Sequence, residues 1–190
     1  MLLLETAENY PERFWLTYDQ EASTKASLLS MCTPLEEKNP VFIAKSEKKL
    51  SVQEIQSFDI IESDMMSFVS KRLADILVDY PEDVEIFEAK IVIAGEIVPG
   101  FFALNVLNKK QCIDLEASDY RPILDGYPEE GLRFYSIKTY PDTVLDGANI
   151  VRAHESEGNI FISNALAKRI QDAGIKNLLL VDATDTTAIA

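Results

Sequence analysis

One short pattern occurs twice in this chain, 93 positions apart. Residues 68–74 read Phe-Val-Ser-Lys-Arg-Leu-Ala, and residues 161–167 read Phe-Ile-Ser-Asn-Ala-Leu-Ala. In both copies an extended apolar pair precedes a serine, Ser70 or Ser163, whose hydroxyl can accept a hydrogen bond from a free N–H in the first turn of a helix. Further along the chain, an apolar run typical of a strand follows each of these two segments. The pattern predicts a strand, a serine cap, a helix and a second strand, used at least twice.

Apolar residues recur after each serine at the spacing of one helical face. The predicted helices cover about residues 71–80, which end before Pro81, and about residues 164–173, which end before Gly174. A competing interpretation starts the first helix near Ser63. An internal repeat and a shared use of serine caps both explain the pattern.

Short β-type segments surround the two predicted helices without a regular alternation of strand and helix. Residues 84–93 and 97–107 are typical of a hairpin, with Pro99-Gly100 as a bulge in its second strand. Many strands with two principal helices indicate an α+β fold with a mainly antiparallel sheet. Further strands are expected at Arg13–Tyr18, Val41–Ala44, Cys112–Leu115, Leu132–Lys138, 149–153, 159–162 and Leu178–Val181.

No Gly/Ser-rich linker divides the chain, so one α+β domain is expected over residues 1–182. Within it, residues 61–182 carry the repeated pattern and the predicted hairpins, whereas residues 1–60 are less clearly patterned. Residues 183–190 are expected to form a frayed tail.

The charge is strongly acidic, with 32 Asp and Glu against 18 Lys and Arg and a net charge of −14. Nucleic-acid binding rests on clustered cations, so this balance argues against it, and it also disfavours anionic membrane surfaces. A basic protein partner would be attracted. The chain has no apolar run long enough for a membrane span, and its two cysteines are not in a Cys-x-x-Cys motif. We therefore expect a cytoplasmic protein with reduced thiols.

Five acids without one base lie between the first predicted helix and the strand after it. Two interpretations stay open, a solvated surface and a patch that faces a basic partner. In both, the side chains are expected to face solvent. The five residues are Asp79, Glu82, Asp83, Glu85 and Glu88.

Motifs that would indicate catalysis are missing from the sequence. The single histidine, His154, lies in a predicted turn, and no nucleophile elbow or glycine-rich phosphate loop is present. One histidine with two distant cysteines does not suit zinc, and no acidic loop has calcium-binding spacing. The sequence therefore predicts a non-catalytic protein without a cofactor or metal.

The segment from Phe101 to Tyr120 resembles a known family. Its Phe-Phe-Ala-Leu-Asn-Val run and its Asp-Leu-Glu-Ala-Ser run are similar to the aromatic-x-Leu-Asn-Val and Asp-x-x-x-Ser segments of a family of bacterial immunity proteins encoded in polymorphic-toxin loci. That family was first catalogued as a domain of unknown function and is typified by a myxobacterial protein. The resemblance covers roughly residues 60–182. Asn149 stands where the family often has His, and Val151 replaces a Phe.

The resemblance implies a cytosolic antidote that binds and blocks a cognate toxin, with no catalytic residues to carry over. Tyr, Trp and Arg are frequent anchors of protein interfaces, so Tyr120 and Tyr127 are candidate contacts, together with Trp15 and Tyr135. A tryptophan in a strand is more often part of the core. The residues alone leave two alternatives open: a small acidic enzyme that uses a metal ion or bound water, and a ligand-binding or structural module.

Overall fold

A computed structural model describes residues 1–182, apart from the side chains of residues 128–130. It shows an α+β fold with mostly antiparallel sheets, as the sequence predicted. The α-helices are α1 (Val52–Ile55), α2 (Lys71–Leu77) and α3 (Asn164–Asp172), and 3-10 helices cover Glu12–Phe14, Ala26–Ser30 and Asp142–Leu145. The strands are β1 (Leu2–Thr6), β2 (Thr17–Tyr18), β3 (Phe42–Ser46), β4 (Ile60–Glu62), β5 (Ser67–Ser70), β6 (Val84–Ile93), β7 (Glu96–Val106), β8 (Lys109–Lys110), β9 (Asp119–Leu124), β10 (Tyr127–Ser136), β11 (Ile150–Ala153), β12 (Ile160–Ile162) and β13 (Leu178–Val181).

The first sheet has six strands in the order β2-β3-β6-β7-β5-β4, and it curls until its edges meet. Leu16, one residue before edge strand β2, forms a parallel bridge with Ser63, one residue after edge strand β4. The Leu16 N–H donates to the Glu62 carbonyl at 2.9 Å. A core with six buried aromatic rings fills the curl, and these are Phe14, Tyr18, Phe42, Phe58, Phe68 and Phe101.

The hairpin of β6 and β7 contains the predicted bulge. Ala89 lies opposite Phe101 and Ile91 lies opposite Val98, so two residues of β7 face a single residue of β6. Gly100 supplies the bulge with a φ of +92°, which residues with a side chain rarely adopt.

The second sheet has the order β13-β1-β12-β11-β8 and places β1 between two other strands. Leu3 pairs with both Phe161 and Val181 and packs on one face, while Leu2 and Leu4 pack on the other. The sequence predictions included no strand here, because three consecutive leucines do not reveal a period of two.

Both serine caps are confirmed. Ser70 Oγ accepts a hydrogen bond from the Leu73 N–H at 3.3 Å, and Ser163 Oγ accepts one from the Leu166 N–H at 3.1 Å. The strands on either side of each helix are parallel to one another, with one antiparallel strand inserted between them. The inserted strand is β7 in the first case and β1 in the second.

The residue that precedes each hairpin also binds the capping serine. Ser70 donates from its N–H to the Asp59 carbonyl at 2.9 Å and from its hydroxyl to Asp59 Oδ1 at 2.5 Å. Ser163 donates to the Asn149 carbonyl at 2.9 Å and to Asn149 Oδ1 at 3.0 Å. The local arrangement is the same at both positions, and an origin by internal repeat stays a prediction.

Helices α2 and α3 pack between the two sheets on a shared core that includes Leu73, Leu77, Leu166 and Ile170. Gly174 follows α3 with a φ of +62°, the left-handed conformation expected after a helix C-terminus. A helix from Ser63 through residues 68–69 is wrong, because those residues lie in β5.

Of the predicted strand at residues 13–18 only Thr17–Tyr18 lies in a strand, β2, and the predicted strand at residues 112–115 is wrong. Residues 13–18 begin instead with a 3-10 turn, in which the Phe14 N–H donates to the Pro11 carbonyl at 2.9 Å. Residues 112–115 contain an isolated bridge from Ile113 to Thr139. There Asp114 Oδ1 accepts hydrogen bonds from the N–H groups of residues 116 and 117, so a turn replaces the extended conformation.

The helical spacing after Ser163 predicts an inward Ala173, and the apolar run Leu178–Val181 predicts a buried strand; the structure corrects both. Ala173 is exposed, because α3 ends one residue before it. Strand β13 is half-buried, because it is an edge strand. The predicted frayed tail at 183–190 lies outside the described residues.

Candidate functional site

The acidic segment between α2 and β6 does not form one surface. Asp83 is only 7% exposed, and its Oδ1 accepts a hydrogen bond from Asn108 Nδ2 at 2.7 Å. Its Oδ2 accepts another from the Asn149 N–H, just before β11, at 2.8 Å. The expectation that Asp83 faces solvent is therefore wrong, because its carboxylate joins the two sheets.

Glu85 is half-buried and also has structural contacts. Its Oε2 accepts hydrogen bonds from the Leu35 N–H at 3.0 Å and from Asn105 Nδ2 at 2.9 Å. These bonds attach the loop before β3 to strands β6 and β7. The expectation of a fully solvent-facing Glu85 is therefore wrong as well.

The remaining three acids of the segment lie at the surface. Asp79 forms an exposed ion pair with Arg169 of α3 at 2.6 Å. Glu82 and Glu88 are exposed. A contribution of these acids to partner binding stays a prediction.

Tyr120 and Tyr127 lie on a different part of the molecule, the ribbon of β9 and β10. Among the described strands these two pair only with each other. Tyr127 is 54% exposed, and the ring of Tyr120 packs on Phe134 at 5.6 Å between centroids. Other exposed apolar side chains of this ribbon are Ile123, Leu124 and Tyr135.

A groove of about 660 Å³ lies between the two sheets, and we call it the intersheet groove. Its walls come from β1, the β4–β5 hairpin, the 3-10 helix at Ala26–Ser30 and the turn between β11 and β12. Two large apolar side chains are exposed there: Trp15 at 49% and Met65 at 47%. Trp15 therefore does not belong to the core, which was the alternative to a role as a candidate contact, because the 3-10 turn before it buries Phe14 instead.

The intersheet groove has an acidic lining, in which four acids face one base. Arg152 donates from Nη1 to the Glu157 carbonyl, and its Nε is buried without a hydrogen-bond partner in the described part of the chain. Burial lowers the pKa of Arg152. The four acids of the lining are Glu5, Glu62, Asp64 and Glu157.

Three of these four acids have partners within the fold. Glu62 accepts a hydrogen bond from Ser67 Oγ at 2.7 Å, and Asp64 accepts one from the Tyr18 N–H at 2.7 Å. Glu157 forms an ion pair with Lys109 at 2.6 Å. These acids have both a structural role and a negative charge directed at the groove.

Glu5 is the exception. Burial, and secondarily the negative charge of Glu8, raise the pKa of the Glu5 carboxyl above its ordinary value of 4.5. Within residues 1–182 no lysine or arginine lies within ion-pair distance of it. A cation placed here from outside would offset the cost of burying this charge.

A second cleft, of about 580 Å³, lies between the ribbon and the five-stranded sheet. It shares Glu5 and Asn159 with the intersheet groove, so the two depressions adjoin. Its ribbon side carries Arg121 and Arg133, which lie opposite each other across the β-ladder.

In the described part of the chain, neither the histidine nor a cysteine lines either cleft. His154 is exposed after β11, where its N–H donates to the Lys110 carbonyl at 2.8 Å. Both cysteines are free thiols, and burial raises the pKa of Cys112 to about 12. Residues 1–182 contain no group of three potential metal ligands. No helix in that range is long and apolar enough to cross a membrane.

Sequence reasoning missed the intersheet groove. Its walls come from six separate parts of the chain between residues 3 and 160, so no local pattern marks it. The adjacent Met65 and Met66 in a turn were the one local signal, since exposed methionines often occur at adaptable binding surfaces.

The comparison with protein families gives one finding. The model of the Immunity protein family (Imm11) matches residues 6–185. This range includes most of residues 1–60, which the resemblance seen in the sequence matched only loosely. A search of curated proteins finds no match.

Proposed function

The chain belongs to the Imm11 immunity protein family, and on this premise we propose that it is a non-catalytic protein that binds a cognate bacterial toxin and neutralises it. The family match over residues 6–185 is the observation that carries the proposal. The toxin would be encoded beside this chain in a polymorphic-toxin locus, and both would meet in the cytoplasm.

Neutralisation by occlusion requires a stable scaffold with exposed apolar anchors inside a polar rim. The described surface supports this requirement, because Trp15, Met65 and Tyr127 are about half exposed, and charged residues line the groove that contains the first two. The net charge of −14 favours a basic partner, since complementary charge speeds association and disfavours wrong partners.

Co-expression with the toxin encoded by the adjacent gene tests the proposal. We expect protection of the cell and a stable complex of the two purified proteins. Neutralisation in vitro should require about one chain per toxin, because a blocked site stays blocked only while the inhibitor is bound. Protection by a small fraction of an equivalent would indicate catalysis and would contradict the proposal.

Replacing the single histidine gives a second test of the non-catalytic role. His154→Ala should keep full protection, because the side chain is exposed and lies in neither cleft. Loss of protection in a variant that still folds would point to an enzyme instead.

A further inference from the structure

We infer that the intersheet groove receives a basic segment of the toxin, one that presents an apolar side chain to Trp15 and Met65 and a lysine or arginine to Glu5. This inference rests on the proposed function and adds to it a binding face and the chemistry of the segment that enters.

Charge complementarity identifies the occupant as basic. The lining has four acids and one base, and the base already donates to a carbonyl of the turn between β11 and β12. Glu5 is half-buried, and the negative charge of Glu8 disfavours its ionised form. An incoming ammonium or guanidinium group would pair with this carboxylate in a partly dry site, where such a pair is stronger than at an open surface.

Two exposed side chains supply the apolar part of the contact. Trp15 and Met65 are each about half exposed, although large apolar side chains like these are usually buried. Tryptophan is over-represented among residues that dominate binding energies, and methionine adapts its shape to an incoming side chain. A tryptophan face also attracts a cation, so both parts of the occupant gain contacts.

Hydrogen bonds between its walls hold the groove in shape. Thr6 of β1 donates from its hydroxyl to Glu62 of β4. Tyr10 accepts a hydrogen bond from the Glu62 N–H at 3.2 Å and donates to the Phe14 carbonyl at 3.1 Å. A site that exists before binding loses little conformational freedom on binding.

The ribbon is the competing surface, and its charge makes it the poorer choice. Arg121 and Arg133 lie directly opposite each other on β9 and β10. Both are exposed, and they would repel the basic segment that the acidic groove attracts. We therefore assign toxin binding to the intersheet groove, and the ribbon serves as the control surface.

The only tryptophan of the chain lies in the groove, so it can report directly on occupancy. The chain labelled with 5-fluorotryptophan should give one fluorine resonance, from Trp15. The probe is the toxin domain encoded by the adjacent gene, made inactive by substitution and left unlabelled. Its addition should move this resonance and reduce the difference between spectra in H2O and D2O, because water leaves the indole.

Matched substitutions separate the groove from the rest of the surface. Trp15→Ala should weaken binding by about tenfold or more, as for a dominant anchor. Glu5→Gln should weaken binding several-fold and reduce its dependence on salt. Ile97→Ala and Glu96→Gln are the controls, because both side chains are exposed on β7 and do not line the groove. Their affinities should stay within about twofold of the wild type, since exposed positions outside an interface contribute little.

Circular dichroism of every variant checks that the fold is intact. Two outcomes would overturn the groove assignment and favour the ribbon. One is toxin binding that leaves the Trp15 resonance unchanged. The other is a loss of affinity in Tyr127→Ala without a loss in Trp15→Ala. Failure of the wild-type chain to bind the toxin would overturn the proposed function itself, and the groove assignment with it.

Discussion

Asp59 Oδ2 accepts a hydrogen bond from the Lys176 N–H at 2.7 Å, which joins the start of the β4–β5 hairpin to the segment after α3. Asp83, in the segment after α2, accepts the corresponding bond from the Asn149 N–H before β11 at 2.8 Å. The first strand–helix–strand arrangement thus holds the second through two buried carboxylates, which accept from backbone N–H groups of the second. This double connection orients the two sheets and thereby the walls of the intersheet groove.

The first prediction concerns Asp59, which is 2% exposed and accepts hydrogen bonds from Ser70, Arg72 and Lys176. Asp59→Ala should lower the free energy of unfolding by about 3 kcal/mol, because it leaves buried donors unpaired. Ser163→Ala, which removes a helix cap, should cost about 1 kcal/mol. Urea denaturation measures both, and equal losses in the two variants would contradict the central role of Asp59.

The second prediction concerns the pH dependence contributed by Glu5. Its pKa is raised by burial and then by Glu8, so the folded chain binds this proton more tightly than the unfolded chain. The stabilising contribution is complete below about pH 4.5 and is lost as the pH rises through the folded-state pKa.

Glu5→Gln imitates the protonated carboxyl. It should therefore raise the melting temperature at pH 7, and its advantage over the wild type should shrink as the pH falls through the folded-state pKa and should have disappeared below about pH 4.5. Glu96→Gln, at an exposed position, is the control. Scanning calorimetry across this range measures the difference, and a lower melting temperature of Glu5→Gln at pH 7 would contradict the prediction.

The third prediction concerns the reactivity of the two thiols. Burial, followed by the charge of Glu155, raises the pKa of Cys112 to about 12, and burial also raises the pKa of Cys32. The thiolate is the reactive form, so both should react slowly with a disulfide reagent at pH 8, and Cys112 should react more slowly. Both should react rapidly in guanidinium chloride. Rapid labelling of Cys112 in the folded chain would contradict its buried position.

The fourth prediction concerns attraction of the toxin over a distance. Glu82 and Glu88 are exposed, whereas Asp83 and Glu85 support the fold. Reversal of Glu82 and Glu88 to lysine should slow association several-fold at low salt, and the effect should fade as salt screens charges beyond about 8 Å. Thermal stability should stay nearly unchanged. Stopped-flow mixing measures the association rate. If that rate changed neither with the reversal nor with the ionic strength, the two exposed acids would not contribute to attraction of the toxin.

Local patterns correctly located the elements that depend on neighbouring residues. The serine caps at Ser70 and Ser163 were predictable, because a cap needs only a serine hydroxyl and an N–H three residues later. The bulge at Pro99-Gly100 was predictable for a similar reason, since its backbone requirements are local. Chemically, the same patterns predicted a non-catalytic acidic protein.

Only the tertiary structure decided which of these residues reach a binding surface. Strand β1 pairs with β12 and β13 at the far end of the chain, and this pairing creates one wall of the groove. Burial of Asp83 and exposure of Trp15 also depend on distant partners. The amino-acid sequence by itself determined helices α2 and α3 with their serine caps, the β6–β7 hairpin and the overall charge, because those follow from composition or from interactions a few residues apart. Which residues are exposed on each face of the molecule depends on packing between distant segments. No local repeat in the sequence predicts how those segments pair.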